Sequence, residues 1–345
     1  MPGAYSLPLF TDEERAMVGT AYKQESREKA IKHGLDFFGP KMKKMVDEVE
    51  RILDLRLQIA DLNSSKSEIE NLKSKIILLY CWRGGMRSGA VGWLLDVYGF
   101  KVYTLVGGYK KFRNYVLDTF KQPFDLKILG GYTGSGKTEV LKELKRNREL
   151  VIDLEEIAIH KGSAFGNIGL PKQPTQEMFE NLLSLELRAV SYEQKETADS
   201  PLTTHHSPIW LEDESQRIGL VNIPNDLWQS MRRSAIHFLD IPFEERLKHL
   251  VEEYGGLDKE KMIDAIVRIK ERLGGLEAKR AIEFLNEDNT IESFRILLKY
   301  YDKWYTKGLH NRANINSLLH KVNCESVTPE NAKKLVQQPV YHEKT

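Results

Sequence analysis

Cysteine is nearly missing from this chain: Cys81 and Cys324 are the only two among 345 residues. Two thiols cannot build a disulfide framework, and such scarcity is ordinary in the reducing cytoplasm, the location expected here. Charge of one sign is lacking too. Lys and Arg total 51 against 50 Asp and Glu, a formal net charge of +1, so any contact with nucleic acid must come from a local patch. No apolar run reaches membrane-spanning length and no signal-peptide pattern follows Met1, so no membrane association is expected. The nine histidines do not fall at zinc-ligand spacing with cysteines. His205 and His206 are adjacent without further ligands near them and read as loop residues, and no metal site is expected. Internal repeats and low-complexity blocks are absent as well.

What remains is ordinary globular material, 41% hydrophobic and 29% charged, long enough for two domains with their own cores. In "LPLFTDEER", Thr11 followed by Glu14 makes a capping box for a helix through about Tyr22. From Pro40 to about Leu62 the pattern is amphipathic at helical period, and the polar "NSSKSEIENLKS" then breaks it, giving a helical insertion at about 39–72. Next, "KIILLY" and "KVYTLV" read as strands, the first as a buried one, each followed by a helix, "SGAVGWLLDVY" and "YKKFRNYVLDTF". A second strand, Gly-rich turn and helix open at "FDLKILGGYTGSGKTEVLKELK", and "LVIDL", "PIWLED" and "AIHFLD" are further strands. After Pro242 the chain is mostly charged amphipathic helix, ending near "FRILLKYYDKWYTKGL". Strands alternating with helices imply parallel sheets in an α/β fold, with domains expected at 1–124, 125–255 and 256–345.

Two loops carry chemistry. In "CWRGGMRSG", Cys81 ends a strand and Gly84 and Gly85 let the loop turn with amides inward, while Ser88 opens the helix. Arg83 and Arg87 add positive charge, so the thiolate of Cys81 is favoured as a nucleophile able to carry a persulfide, with Trp82 beside it. The loop resembles the active-site loop of rhodanese-type sulfurtransferases, and "LVGGYKKF" resembles that family's Gly-Gly turn. The second loop, "GYTGSGKT" at 131–138, fits the P-loop pattern between a strand and a helix. Gly131, Gly134, Ser135, Gly136 and Thr138 would cradle a diphosphate, Lys137 would reach a terminal phosphate, and Thr138 could hold Mg²⁺. At the end of "PIWLEDES", Asp213 and Glu214 are preferred to Glu212 as acids coordinating water or Mg²⁺. "DLEEIAIHKGSAFG" adds His160 and Ser163 as polar support for a substrate phosphate or leaving group.

Together with "LPLFTDEERAMVGTAYKQ", "FENLL", "LEDESQRIG" and "DIPFEERL", these motifs resemble, in kind and in order, the tRNA 2-selenouridine synthase family. That resemblance implies a rhodanese-like domain followed by a P-loop NTPase-like parallel-sheet domain and a helical C-terminal part. It implies replacement of the sulfur of wobble 2-thiouridine by selenium from selenophosphate, through an S-geranyl intermediate made from geranyl diphosphate. Cys81, with Arg83 and Arg87 shaping its anion site, would serve the selenium step, and the P-loop would hold a diphosphate or selenophosphate. The partner implied is a tRNA anticodon region carrying 2-thiouridine. Rhodanese domains usually begin with a strand ending in an Asp-x-Arg turn, whereas this chain opens at "MPGAYSLPLF". The expectation is an upstream start; the alternatives are a separate chain supplying that strand, or a fold that manages without it.

For RNA contact the basic groups are "KMKK" (41–44), "KKFR" (110–113), "KRNR" (145–148) and "MRR" (231–233), with Trp82 and "YYDKWY" as aromatic candidates. A plain rhodanese sulfurtransferase would leave the P-loop idle. An ATP-dependent kinase or RNA-binding P-loop protein would leave the cysteine loop idle.

Overall fold

A computed structural model describes residues 1–63, 76–196 and 207–336. They fall into two compact units, Met1–Tyr115 and Val116–Thr345.

The first unit opens with α1 (Asp12–Gln24), where Thr11 and Glu14 exchange side-chain and backbone hydrogen bonds in the expected capping box. A second helix, α2 (Arg27–Phe38), went unforeseen; Ser26 caps it, accepting from the Lys29 amide. A short 3-10 turn at Gly39–Lys41 leads into α3 (Met42–Asn63), the long amphipathic helix expected there. After Asn63, the polar stretch expected to end it lies outside the described residues, as do His205 and His206. Then follow β1 (Ile76–Leu79), α4 (Met86–Tyr98), β2 (Lys101–Thr104) and α5 (Gly108–Thr119), the last running on into the second unit. Strands β1 and β2 pair in parallel, Ile76 opposite Lys101 and Leu79 opposite Thr104. Their inward residues Ile77, Leu79 and Val102 pack on a core of Leu9, Phe38, Met45, Val49, Leu95 and Phe100. Strand periodicity turns Leu78 the other way, and it is 79% exposed, so the run read as a buried strand is covered on one face only.

The second unit is built on β3 (Leu126–Gly131), α6 (Lys137–Arg146), β4 (Leu150–Ile152), α7 (Leu154–Ala158), α8 (Gln176–Glu196) and β5 (Ile209–Glu212). A two-residue hairpin, β6 (Arg217–Ile218) and β7 (Val221–Asn222), precedes α9 (Asn225–Arg233) and β8 (Ala235–Asp240). Helices α10 (Phe243–Tyr254), α11 (Lys259–Leu273), α12 (Gly275–Asn286), α13 (Thr290–His310) and α14 (Ile315–Leu318) follow, then β9 (Leu319–Asn323) and α15 (Asn331–Val336). The sheet runs β4-β5-β3-β8-β9, all parallel. Strand order reverses beside β3, the point where doubly wound sheets open a crevice at their C-terminal ends.

The stretch after Pro242, read as mostly helical, therefore also supplies an edge strand. Hydrogen-bonded on one side only among the described residues, and largely exposed, "LHKVN" needs few apolar residues and shows little strand signal. Its Val322 nevertheless joins Cys324, Leu129, Leu141 and Trp210 in the sheet core. The later helices share a second core in which Leu247, Ile266, Ala281, Phe294 and Leu298 pack around Phe165.

Candidate active site

In the first unit, the chain leaves β1 and turns through residues 81–85 into α4. This sets Cys81 beside the helix's opening amides, and its Sγ lies 3.3 Å from the buried Ser88 Oγ. Burial pushes the Cys81 thiol up, but the Ser88 hydroxyl and the amides of Gly85, Ser88 and Arg83 outweigh it, holding the thiol at about 7. The guanidinium groups of Arg83 and Arg87, expected to supply this stabilisation, belong to exposed residues and are not among its leading sources, Arg83 contributing through its amide alone. The Gly-Gly turn braces the loop from behind. The Tyr109 amide donates to the Cys81 carbonyl at 2.8 Å and the Lys110 amide to that of Trp82 at 2.9 Å. Gly84 and Gly108 both have positive φ, and a Cβ on Gly108 would stand 2.2 Å from the Cys81 carbonyl oxygen. Trp82, 51% exposed, lays its ring against Tyr109 with centroids 5.6 Å apart.

In the second unit, loop 131–138 joins β3 to α6 and lines a cavity of about 640 Å³. Gly134 and Gly136 sit at φ 77° and 71°, and beside Gly134 the Arg246 carbonyl leaves a Cβ only 2.8 Å. Lys137 folds back, its Nζ donating to the Gly131 carbonyl at 3.1 Å. The buried Ser135 Oγ has no partner among the described residues. Thr138, Ser163, Asp213 and Glu214 line the same cavity, whereas His160 does not. Gly166 and Gly219 leave no room for a Cβ beside the His160 ring, and burial followed by Arg268 lowers its pKa, favouring a neutral packed imidazole. Ser163 spends its hydroxyl accepting the Phe165 amide at 3.2 Å.

The acids divide by environment. Asp213, at the end of β5, accepts the Tyr305 hydroxyl at 2.6 Å on one oxygen and the Arg312 guanidinium on the other. Each oxygen of Asp213 thus already accepts one hydrogen bond. Among the described residues no group of three His, Cys, Asp or Glu could hold a metal ion. Glu214 instead pairs with Glu155, both held above the usual carboxylate range: burial is the main cause, Asp213 adds to it for Glu214 and Glu214 for Glu155, and Lys137 counters both. Such a pair retains a proton near neutral pH. Glu212, buried behind them, accepts the Glu155 amide at 2.7 Å.

Four contributors were not foreseen in the roles they take. Glu155 stood inside "DLEEIAIHKG" without being distinguished from its neighbours. Tyr305 accepts the Gly131 amide at 3.2 Å, while Arg312 and Arg246 also arrive from distant sequence. Arg246 donates to the Thr133 carbonyl at 3.1 Å, and "DIPFEERL" was the one signal pointing to it. The lining also has an apolar part, with Phe165, Leu250, Phe294, Leu297, Leu298 and Tyr301, of which Leu250 lies against Gly134. Of the basic groups considered for RNA, Lys41 pairs with Glu14, Lys43 with Asp47 and Arg146 with Glu143, and Arg232 lines the cavity. Among the described residues no helix is long and apolar enough to cross a membrane.

Residues 124–334 match the family model described as the tRNA 2-selenouridine synthase AAA domain. A tRNA 2-selenouridine synthase of Nitrosomonas europaea is 35% identical over 258 residues, which cover 74% of this chain and 59% of that protein. One from Pseudomonas savastanoi pv. phaseolicola is 32% identical over 348 residues, covering 90% and 85%. A crystal structure of the N-terminal domain of an ATP/GTP binding protein from Clostridium difficile 630 is 37% identical, covering 34% of this chain and 77% of its own, at a TM-score of 0.26. The chain thus spans 59% of the Nitrosomonas relative and most of the Pseudomonas one. A P-loop joined to an acidic strand end, matched across residues 124–334 and in relatives over most of their length, makes this chain a member of the tRNA 2-selenouridine synthase family.

Proposed function

We propose that this protein replaces the sulfur of 2-thiouridine at the tRNA wobble position with selenium from selenophosphate, by way of an S-geranyl intermediate made from geranyl diphosphate. The observation that carries this reading is the cavity of about 640 Å³, whose lining combines a P-loop wall with an apolar wall that includes Phe294, Leu297, Leu298 and Tyr301. A diphosphate needs the first wall and a prenyl chain the second.

In the first step the thiocarbonyl sulfur attacks the allylic carbon of the donor, the carbon–oxygen bond breaks, diphosphate leaves with the electron pair, and the alkylated base gives up its N3 proton to solvent. Lys137 and the amides of the loop neutralise the charge that develops on it. The proton retained by Glu155 and Glu214 is available to the departing oxygen. Alkylation has now made sulfur a leaving group. In the second step selenium bonds to the base carbon, geranyl thiolate departs, and water takes the phosphoryl group of selenophosphate as orthophosphate. Cys81, in a loop of rhodanese type, serves this step as nucleophile, its thiolate displacing geranyl thiolate from the base carbon before selenium displaces it in turn, and the pKa of about 7 keeps much of it as thiolate. ATP is not consumed in either step.

The test is mass spectrometry of a 2-thiouridine anticodon stem-loop after incubation with each donor separately and with both. A geranyl adduct from geranyl diphosphate alone, converted to the selenium mass on adding selenophosphate, is the expected outcome; Lys137→Ala should lose the first product and Cys81→Ala only the second. An unchanged base in every mixture, or turnover that requires ATP, would overturn the reading.

A further inference from the structure

Arg312 is 8% exposed and lines the P-loop cavity. Its Nη2 serves Asp213, but its Nε and Nη1 are buried with no partner among the described residues. A guanidinium offers five N–H donors in a fixed fork, and leaving part of that fork unpaired in a dry wall is costly unless an acceptor comes to it. A second cation stands on the same wall. Arg232 lies over the Trp228 ring at 5.1 Å, and burial, then the nearby charge of Arg312, lowers its pKa. Arg232 also gives its Nη1 to the Gly308 carbonyl at 3.3 Å, and two partly desolvated guanidinium groups lining one cavity are relieved by an anion there.

The position is fixed relative to the P-loop. Gly131 donates its amide to Tyr305, Tyr305 its hydroxyl to Asp213, and Arg312 its Nη2 to the other Asp213 oxygen. We infer that Arg312, with Arg232, forms a second phosphoryl-binding subsite in the cavity, taking oxygens of a phosphoryl group other than the one held by loop 131–138. The inference rests on the P-loop cavity being the substrate site. Two sources offer this chemistry: the second phosphoryl group of a diphosphate, and a phosphodiester of an RNA strand whose nucleotide enters the cavity.

Arg312→Lys tests it, because lysine keeps a cation for Asp213 and removes the fork. Titrations of orthophosphate, pyrophosphate and a 2-thiouridine anticodon stem-loop would be compared between variant and wild type, with thermal unfolding as the check on folding. An approximately tenfold loss for pyrophosphate, with orthophosphate unchanged, is the result expected for a diphosphate source. A similar loss confined to the stem-loop, with a shallower salt dependence, assigns the subsite to the RNA backbone. Unchanged binding of all three ligands would make Arg312 a structural partner of Asp213 and overturn the inference. Lys137→Ala measured in parallel keeps the two readings apart: wild-type phosphate binding there would sink the cavity reading itself. Should Arg312→Lys not fold, the double variant Arg312→Gln with Asp213→Asn removes fork and countercharge together and is judged by the same titrations.

Discussion

Arg246 and Asp302 meet through two parallel hydrogen bonds, Nη1 to Oδ1 at 2.9 Å and Nη2 to Oδ2 at 2.8 Å. The same Nη1 reaches the Thr133 carbonyl at 3.1 Å, so one buried guanidinium ties α10, α13 and the P-loop together. Removing it leaves a carboxylate and a loop carbonyl without their donor. Arg246→Ala should cost about 3 kcal/mol of stability, read from denaturant unfolding, and weaken orthophosphate binding as the loop loses its brace. Unaltered unfolding would mean that solvent replaces the pair without cost.

Alkylation of Cys81 by iodoacetamide, followed by peptide mass mapping, should accelerate through a midpoint at about pH 7, since its folded pKa is lowered and thiolate predominates above that point. Ser88→Ala removes the hydroxyl 3.3 Å from sulfur and should move the midpoint up by about one pH unit. Cys324, buried and with its pKa raised chiefly by that burial, provides a slow internal control.

Gly108→Ala sets a methyl group against the Cys81 carbonyl and a φ of 60° against an L side chain. The expected cost exceeds about 2 kcal/mol, together with loss of the Cys81 reactivity shift, because the carbonyl must move. Gly85→Ala, where nothing lies within 4 Å of the added carbon, should be much milder. Comparable unfolding midpoints for the two variants would contradict the packing described.

Glu155→Gln should stabilise the protein at alkaline pH. Burial, then Glu214, raises the Glu155 pKa, so its protonated form favours the folded state at low pH and that contribution fades as pH rises through about 9. Glutamine cannot ionise. The variant's advantage in Tm should be near zero at about pH 5 and reach a few degrees by about pH 9. An advantage that shrinks with pH would show that Glu155 is ionised and paired.

Much of the second unit was legible because parallel strands buried on both faces read as apolar runs and because the P-loop pattern dictates its own strand and helix. The missed pieces share a physical cause. Strand β9 is an edge with one apolar side, and α2 is a short helix whose buried residues are chiefly Ala30 and Phe38. At the site, spacing located Lys137 and the acids of β5, but not which acid was already engaged. Asp213 is tied by Tyr305 and Arg312, far along the chain, and such partners leave no periodic trace. Glu214 proved to belong with Glu155. The Cys81 loop was legible as a turn, while its electrostatics rest on amides and Ser88 more than on the arginines that caught the eye.

Because β9 pairs with β8, the sheet that opens at Leu126 is not closed until Asn323. During synthesis the first unit can therefore collapse early, whereas the second must wait for nearly the whole of its length to leave the ribosome. Until then β8 presents a bare apolar edge. A chain truncated before residue 319 should engage chaperones and lose protease protection at β3, β5 and β8, and one extended through β9 and α15 should regain it.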